Sequence, residues 1–305
     1  MNYSDLYSTS KLSILLSKTA LYPKKSLGQH FLIDKNIAEK IVLAANLSKK
    51  DTVLEIGAGL GALTYPLSLV SGRVVAYEID SRLIPILEET VRDLRNVEVR
   101  NEDILLSLRG AERRSNLLSA SEKDCFASLA MTKNKFSHCL SDSYKLIGNL
   151  PYYITSRILG HFLSAEHKPK RVVVTIQKEV AERICAKPPD MSLLAVSVQL
   201  YGVPKVIARV SKNCFFPSPK VDSAILAFDV LRPSDLNEND FFTLVKTGFS
   251  HKRKLLIRNL ERGLSLSRER LEDAFDELGI SSRARAEELG VEEWKMLTSK
   301  LQTTT

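Results

Sequence analysis

The chain of 305 residues, 44% of them hydrophobic, is long enough for one large α/β domain with a smaller companion. A formal charge of +8 and a pI near 9.2 point to a polyanionic partner, nucleic acid ahead of an anionic membrane surface. No apolar run approaches the roughly 18 residues of a membrane span, so a soluble protein is expected. Cys125, Cys139, Cys185 and Cys214 form no CxxC pair and have no histidine at zinc-closing spacing; they read as free thiols in a reducing compartment, with no metal site.

In chain order, residues 6 to 33 hold Lys11, Lys18, Lys24 and Lys25 but no acid, together with a short apolar cluster from Leu12 to Leu16. Residues 1–23 therefore read as a flexible basic arm touching phosphates, with a transit peptide as the alternative. The first reading places the protein in the cytoplasm, the second in an organelle. From Thr52 short β-branched runs alternate with helical stretches: TVLEIG, a helix from about Leu60, RVVAYEI, a helix from Ser81, then VEVR. The rhythm resumes after Tyr144 with KLIGNL, an amphipathic helix through Ile158 and Phe162, the strand RVVVTIQ and a polar helix from Lys178 to Ala186. VPKVIARVS and VDSAILAFDV, across a proline-containing connection, read as an antiparallel hairpin at the sheet edge. The expected fold is α/β, a seven-stranded Rossmann-like sheet. Residues 107–143, rich in serine and weakly periodic, read as a surface insertion, partly disordered. Past Arg232 the pattern is purely helical, so the expected domains are 24–232 and 233–305.

Three strand ends carry the chemistry. Glu55-Ile56-Gly57-Ala58-Gly59-Leu60-Gly61 follows a strand and opens a helix, where the backbone must turn sharply and approach a ligand without Cβ interference. The spacing is GxGxG, not the GxGxxG of dinucleotide binders, and no GKS or GKT follows. An adenosine-like ligand without a pyrophosphate fits. Glu78 closes the second strand, where an acid accepts hydrogen bonds from ribose hydroxyls, and Asp103 follows the third, where a carboxylate accepts from an adenine amine. Each acid alone would read as a solvated loop residue; three positions at successive strand ends track along one adenosine.

Asn149-Leu150-Pro151-Tyr152 ends the fourth strand, at the same carboxyl edge. The lone pair of an aryl amine is delocalised into its ring, which makes it a poor nucleophile. Two acceptors aimed at its two hydrogens favour a tetrahedral, more localised nitrogen. The amide oxygen of Asn149 and the carbonyl of Leu150 are those acceptors, Pro151 restricts the turn and has no N–H to compete, and Tyr152 stacks on the base. No base is needed before attack; positioning carries the catalysis.

With EIGAGLG and NLPYYI, the chain also contains KSLGQHFLID at 25–34, FFPSPKVDSA at 215–224 and FSHKRKLLIRNL at 249–260. In these it resembles the small-subunit ribosomal RNA adenine dimethyltransferases of the KsgA/RsmA type, from about Lys24 to the end. The resemblance implies a class I methyltransferase fold and dimethylation of two adjacent adenosines near the 3′ end of small-subunit (16S) rRNA, with S-adenosylmethionine as donor. The partner it implies is that RNA in a pre-ribosomal particle, met by a monomer in ribosome biogenesis. Carried over by position, the cofactor contacts are His30, Leu32, Gly57, Glu78, Asp103 and Asn149, and the target adenosine is held by Asn149, Leu150, Pro151 and Tyr152. Many relatives have asparagine at the place of His30, which points to its backbone as the contacting group; Ala58 replaces a commoner proline. Lys252, Arg253, Lys254 and Arg258, beside His251, are the expected phosphate contacts, although any one of them alone reads as part of a solvated helix face. The alternatives are a macrolide-resistance type methyltransferase acting on large-subunit rRNA, and a non-catalytic assembly or transcription factor on the same fold; intact Glu78, Asp103 and NLPY argue against the latter.

Overall fold

In the computed structural model β2 (Thr52–Ile56) is buried along its whole length, and the rest of the main sheet is laid out around it. Residues 3–24, 27–104, 143–233 and 236–302 are described; the expected insertion lies outside them except for its last residue, as do Cys125 and Cys139. The strand order is β4-β3-β2-β5-β6-β9-β7, with β3 at Arg73–Tyr77, β4 at Val97–Arg100, β5 at Tyr144–Asn149, β6 at Arg171–Gln177, β7 at Lys205–Val210 and β9 at Ser223–Asp229. The first five are parallel, while β9 runs antiparallel to both β6 and β7. The apolar runs of β2, β3, β5 and β6 suit strands covered on both faces. The seven-stranded sheet with an antiparallel hairpin at one edge is the fold expected above.

The chain order reverses between β2 and β5, and ligands of such sheets bind at that crevice, beyond the carboxyl ends of the strands. Ile56 pairs with Gly148 there. A Cβ on Gly148 would lie 2.5 Å from the Ile56 carbonyl oxygen, so only glycine lets the two strands close at this point. A separate two-stranded ribbon pairs β1 (Phe31–Leu32) with β8 (Phe215–Phe216), placing Phe31 opposite Phe216 and Leu32 opposite Phe215.

The helices of this region are α1 (Thr9–Lys18), α2 (Lys35–Ala44), α3 (Thr64–Val70), α4 (Ile84–Val91) and α5 (Thr155–Ser164). Asp34 caps α2 by accepting from the Ile37 amide at 3.1 Å. The amino-terminal segment departs from the flexible arm expected of it. A 3-10 turn at Tyr3–Tyr7 leads into α1, and Leu6, Leu12, Leu16 and Leu21 bury themselves against Phe31, Leu60, Leu83 and Ile86. Its lysines mark one face; the leucines on the other supply the folding force.

Among the described residues the chain forms two compact units, one of residues 3–104, 143–181 and 205–230, the other of 182–204 and 231–302. The stretch 182–204, expected with the sheet, groups instead with the carboxy-terminal helices. It runs from the end of α6 (Lys178–Ile184) through α7 (Leu193–Gln199), which Ser192 caps through the Ala195 amide at 3.1 Å. Tyr201, fully buried, donates to Glu238 at 2.5 Å, and its carbonyl accepts from the Leu231 amide at 2.7 Å. The remaining helices are α8 (Glu238–Phe249), α9 (Leu256–Leu264), α10 (Arg268–Leu278) and α11 (Val291–Gln302), packed about buried Phe241, Leu260, Phe275 and Trp294.

Candidate active site

The turn after β2 has positive φ at each of its glycines, +76° at Gly57, +58° at Gly59 and +93° at Gly61, a backbone that side-chain-bearing residues rarely adopt. The amides of Gly57 and Ala58 both donate to the Tyr77 carbonyl, at 2.9 and 3.1 Å, which locks the turn onto the end of β3. Glu78, the next residue, is only 5% exposed. Its carboxylate accepts from the Gly59 amide at 2.8 Å and from the Asp80 amide at 2.8 Å. Burial raises its pKa, and those amide bonds resist the rise. The loop and the acid expected to share one ligand thus already share a hydrogen bond.

The corner after β5 abuts this loop: a Cβ on Gly57 would lie 3.1 Å from the Asn149 carbonyl oxygen. The side-chain amide nitrogen of Asn149 donates to the His30 carbonyl at 2.9 Å. A carbonyl cannot donate, so this bond settles which end of the amide is which and leaves Oδ1 as the acceptor to be presented. Leu150 is buried and its amide donates to the Thr175 carbonyl at 3.1 Å, anchoring the turn to β6. Pro151 has φ −56° and ψ 131°, and its carbonyl accepts from the Ile154 amide at 3.1 Å. The Tyr152 hydroxyl is 2.7 Å from that of Ser223, a buried residue at the start of β9, so the ring is held from behind.

His30 is committed to the protein on both sides. Its Nδ1 donates to the Pro217 carbonyl at 2.6 Å, its own carbonyl takes the Asn149 amide, and its ring lies 6.0 Å from that of Tyr152 at 25°. The β1–β8 ribbon is what brings KSLGQHFLID and FFPSPKVDSA to one place.

Two adjoining pockets share His30, Phe31, Gly57, Gly59 and Asn149. One continues to Glu78, Leu150, Pro151 and Tyr152; the other includes Leu32 and the turn from Ala58 to Leu60. Asp103 stands apart from both linings, half-buried beyond β4, where its charge reinforces the rise that burial gives the Tyr153 hydroxyl pKa. Lys252, Arg253 and Lys254 occupy the exposed turn between α8 and α9, with Arg258 exposed on α9; this basic group is in the helical unit, and no ion pair joins the four to an acid among the described residues.

Several residues that brace these groups carried too little signal to be picked out beforehand. Asp80 is 3% exposed, gripped by Arg82 at 2.5 Å and by Gln29 at 2.9 Å, and the Arg82 bonds hold its carboxyl well below the usual carboxylate range. It ties the KSLGQHFLID segment to the end of β3; its only sequence signal is a second acid two positions after Glu78. Asn259, buried in α9, donates to the carbonyls of Gly248 and His251, at 2.6 and 3.2 Å, and so braces the basic turn. Ser223 and Pro217 act from positions distant in the chain, which no spacing rule reaches.

Residues 21–303 match the family model described as ribosomal RNA adenine dimethylase. A relative from Dehalococcoides mccartyi, named ribosomal RNA small subunit methyltransferase A, is 39% identical over 91% of this chain and 88% of its own. The protein of the same name from Bacillus licheniformis is 35% identical over 98% of each. Among solved structures, the 23S rRNA methyltransferase ErmE superposes with a TM-score of 0.66 at 26% identity, covering 88% of this chain and 98% of that one. A dimethyladenosine transferase from Plasmodium falciparum shares the fold, with a TM-score of 0.70 over 89% of this chain at 24% identity. With a glycine turn, a buried acid and an asparagine corner at adjacent strand ends, and a family model matched along nearly its whole length, this chain belongs to the ribosomal RNA adenine dimethylase family.

Proposed function

We propose that this protein dimethylates the exocyclic amines of two adjacent adenosines near the 3′ end of small-subunit rRNA. The observation that carries the reading is the Asn149 side chain, oriented by His30 so that its amide oxygen is presented beside the glycine turn. S-adenosylmethionine, when bound, supplies an electrophilic methyl group on a sulfonium. The chain fits it: the positive-φ turn offers backbone where a side chain would intrude, and buried Glu78 keeps its carboxylate at the neighbouring strand end for the ribose hydroxyls. Gly57 and the backbone near His30 and Leu32 line the same place, and Asp103 serves the adenine amine.

At the corner, Asn149 Oδ1 and the Leu150 carbonyl accept the two hydrogens of the target amine and hold its nitrogen close to tetrahedral. Tyr152, braced by Ser223, stacks on the base. No residue has to take a proton before attack, and the product amine loses one afterwards. The adenosines must leave their stack to reach the corner, so the substrate is an accessible RNA segment in a pre-ribosomal particle. Lys252, Arg253, Lys254 and Arg258 hold phosphates, and the protein acts as a monomer.

Transfer of labelled methyl groups to immature small-subunit particles and to free large-subunit RNA tests the reading. Label in adjacent adenosines of the small-subunit RNA is expected. Label confined to large-subunit RNA would establish the activity named for ErmE instead, and RNA binding without transfer would make the chain a non-catalytic factor.

A further inference from the structure

The amino-terminal segment does more than cover a core. Leu6 and Leu12 line the pocket that also contains Gly57, Ala58 and Asn149, while Glu78 borders only the adjoining one. Since Glu78 is placed for a ribose, the pocket under the segment lies at the other end of the ligand, toward its sulfur and amino-acid chain. The segment is fastened to the turn that lines the pocket and to the helix that follows that turn. The Tyr7 hydroxyl donates to the Ala62 carbonyl at 2.6 Å, and the Tyr3 ring stacks on that of Tyr65 in α3 at 4.0 Å and 9°. Both fastenings are peripheral: neither Tyr3, Tyr7 nor Tyr65 lines the pocket. The family match begins at residue 21, so this segment lies outside the part the family model describes.

We propose that residues 3–18 are a strap closing the amino-acid end of the cofactor site, with Leu6 and Leu12 packed against the methylene chain of the ligand, and that the strap must lift to exchange spent cofactor for fresh. The proposal rests on the cofactor placement given above. The physical reasoning is that an apolar wall excludes water from the sulfonium end and slows escape of the ligand. The strap is held by the burial of Leu6, Leu12 and Leu16 against Phe31, Leu60, Leu83 and Ile86 together with that hydrogen bond and ring stack, a local set of contacts whose release costs less than unfolding the sheet. Dimethylation at two adenosines needs repeated exchange of cofactor, so this opening sits in every cycle.

Hydrogen exchange of the full chain with and without S-adenosylhomocysteine is the first measurement, and release of labelled S-adenosylhomocysteine into an unlabelled chase is the second. Bound ligand is expected to slow exchange of the amides in residues 9–18 as well as those of the glycine turn. The double substitution Tyr3→Ala, Tyr7→Phe is expected to speed release about ten-fold, the combined worth of one hydrogen bond and one stack being of that order. Lys40→Ala, exposed on α2 and outside the strap, is expected to leave release unchanged. Protection of the glycine turn without protection of the strap, or release within about two-fold of the parent in the double variant, would overturn the strap. If neither the turn nor the strap is protected, the cofactor placement itself fails.

Discussion

At the scale of single residues, Asn149 and Glu55 make opposite kinds of prediction. Asn149 holds its amide by donating to the His30 carbonyl. Asn149→Ala removes the acceptor and should lower turnover by about 10²-fold or more while RNA affinity, dominated by phosphate contacts, stays close to the parent value. Asn149→Asp keeps an acceptor but sets a carboxylate against that carbonyl. If the corner holds the amine, this variant is also crippled; if it removed a proton, aspartate would serve well. Single-turnover rates for both variants separate the two. Glu55 is 1% exposed, with Oε2 lacking a hydrogen-bond partner among the described residues. Burial, reinforced by the nearby charge of Glu78, pushes its pKa up to about 8. The folded state therefore holds this proton more tightly than the unfolded chain. Its contribution to stability is fully present below the unfolded pKa of about 4.5 and is lost as pH rises through about 8. Glu55→Gln should flatten that decline, gaining stability at pH above 8 with little change in acid, as urea midpoints across the pH range would record.

Among the elements, the junction of β2 and β5 is the most demanding. Ile56 and Gly148 pair directly before the glycine turn and the Asn149 corner, and the Ile56 carbonyl occupies the space of a Cβ on Gly148. Gly148→Ala must push the strands apart, at a cost of about 1–3 kcal/mol. Because both ends of the site leave from this pair, the variant should also bind S-adenosylhomocysteine more weakly, which calorimetry and a thermal melt can measure together. These strands were legible in the sequence, since TVLEIG and KLIGNL are apolar runs ending in the turn and corner they carry. The segment containing Leu6, Leu12 and Leu16 was not, because few residues and a run of lysines without acids read as an arm; only contact with Phe31 and Leu60 reveals its apolar face. Likewise LLAVSVQ mixes helix-forming and β-branched residues in a run too short for periodicity to decide. Its Ser192 cap was the one local signal.

For the whole molecule, charge governs the encounter with RNA. A net +8, with Lys252, Arg253 and Lys254 exposed on one braced turn, predicts a steep fall of RNA affinity with salt. Replacing those three by alanine should reduce the slope of log affinity against log salt by about two to three, measured by filter binding over a salt series, while leaving the donor site unaltered. The change of periodicity at Arg232 marks where purely helical sequence begins, but it does not announce the grouping of 182–204 with the helices, which depends on Tyr201 meeting Glu238 and Leu231. The β1–β8 ribbon carries a consequence for anyone exchanging parts of this protein with a relative. It joins residues 31–32 to 215–216, and the bonds of His30 to Pro217 and Asn149 extend from it. A chimaera that takes a foreign loop around FFPSPK while keeping the native QHFLID has separated two halves of one support. It should lose activity until both segments come from the same parent.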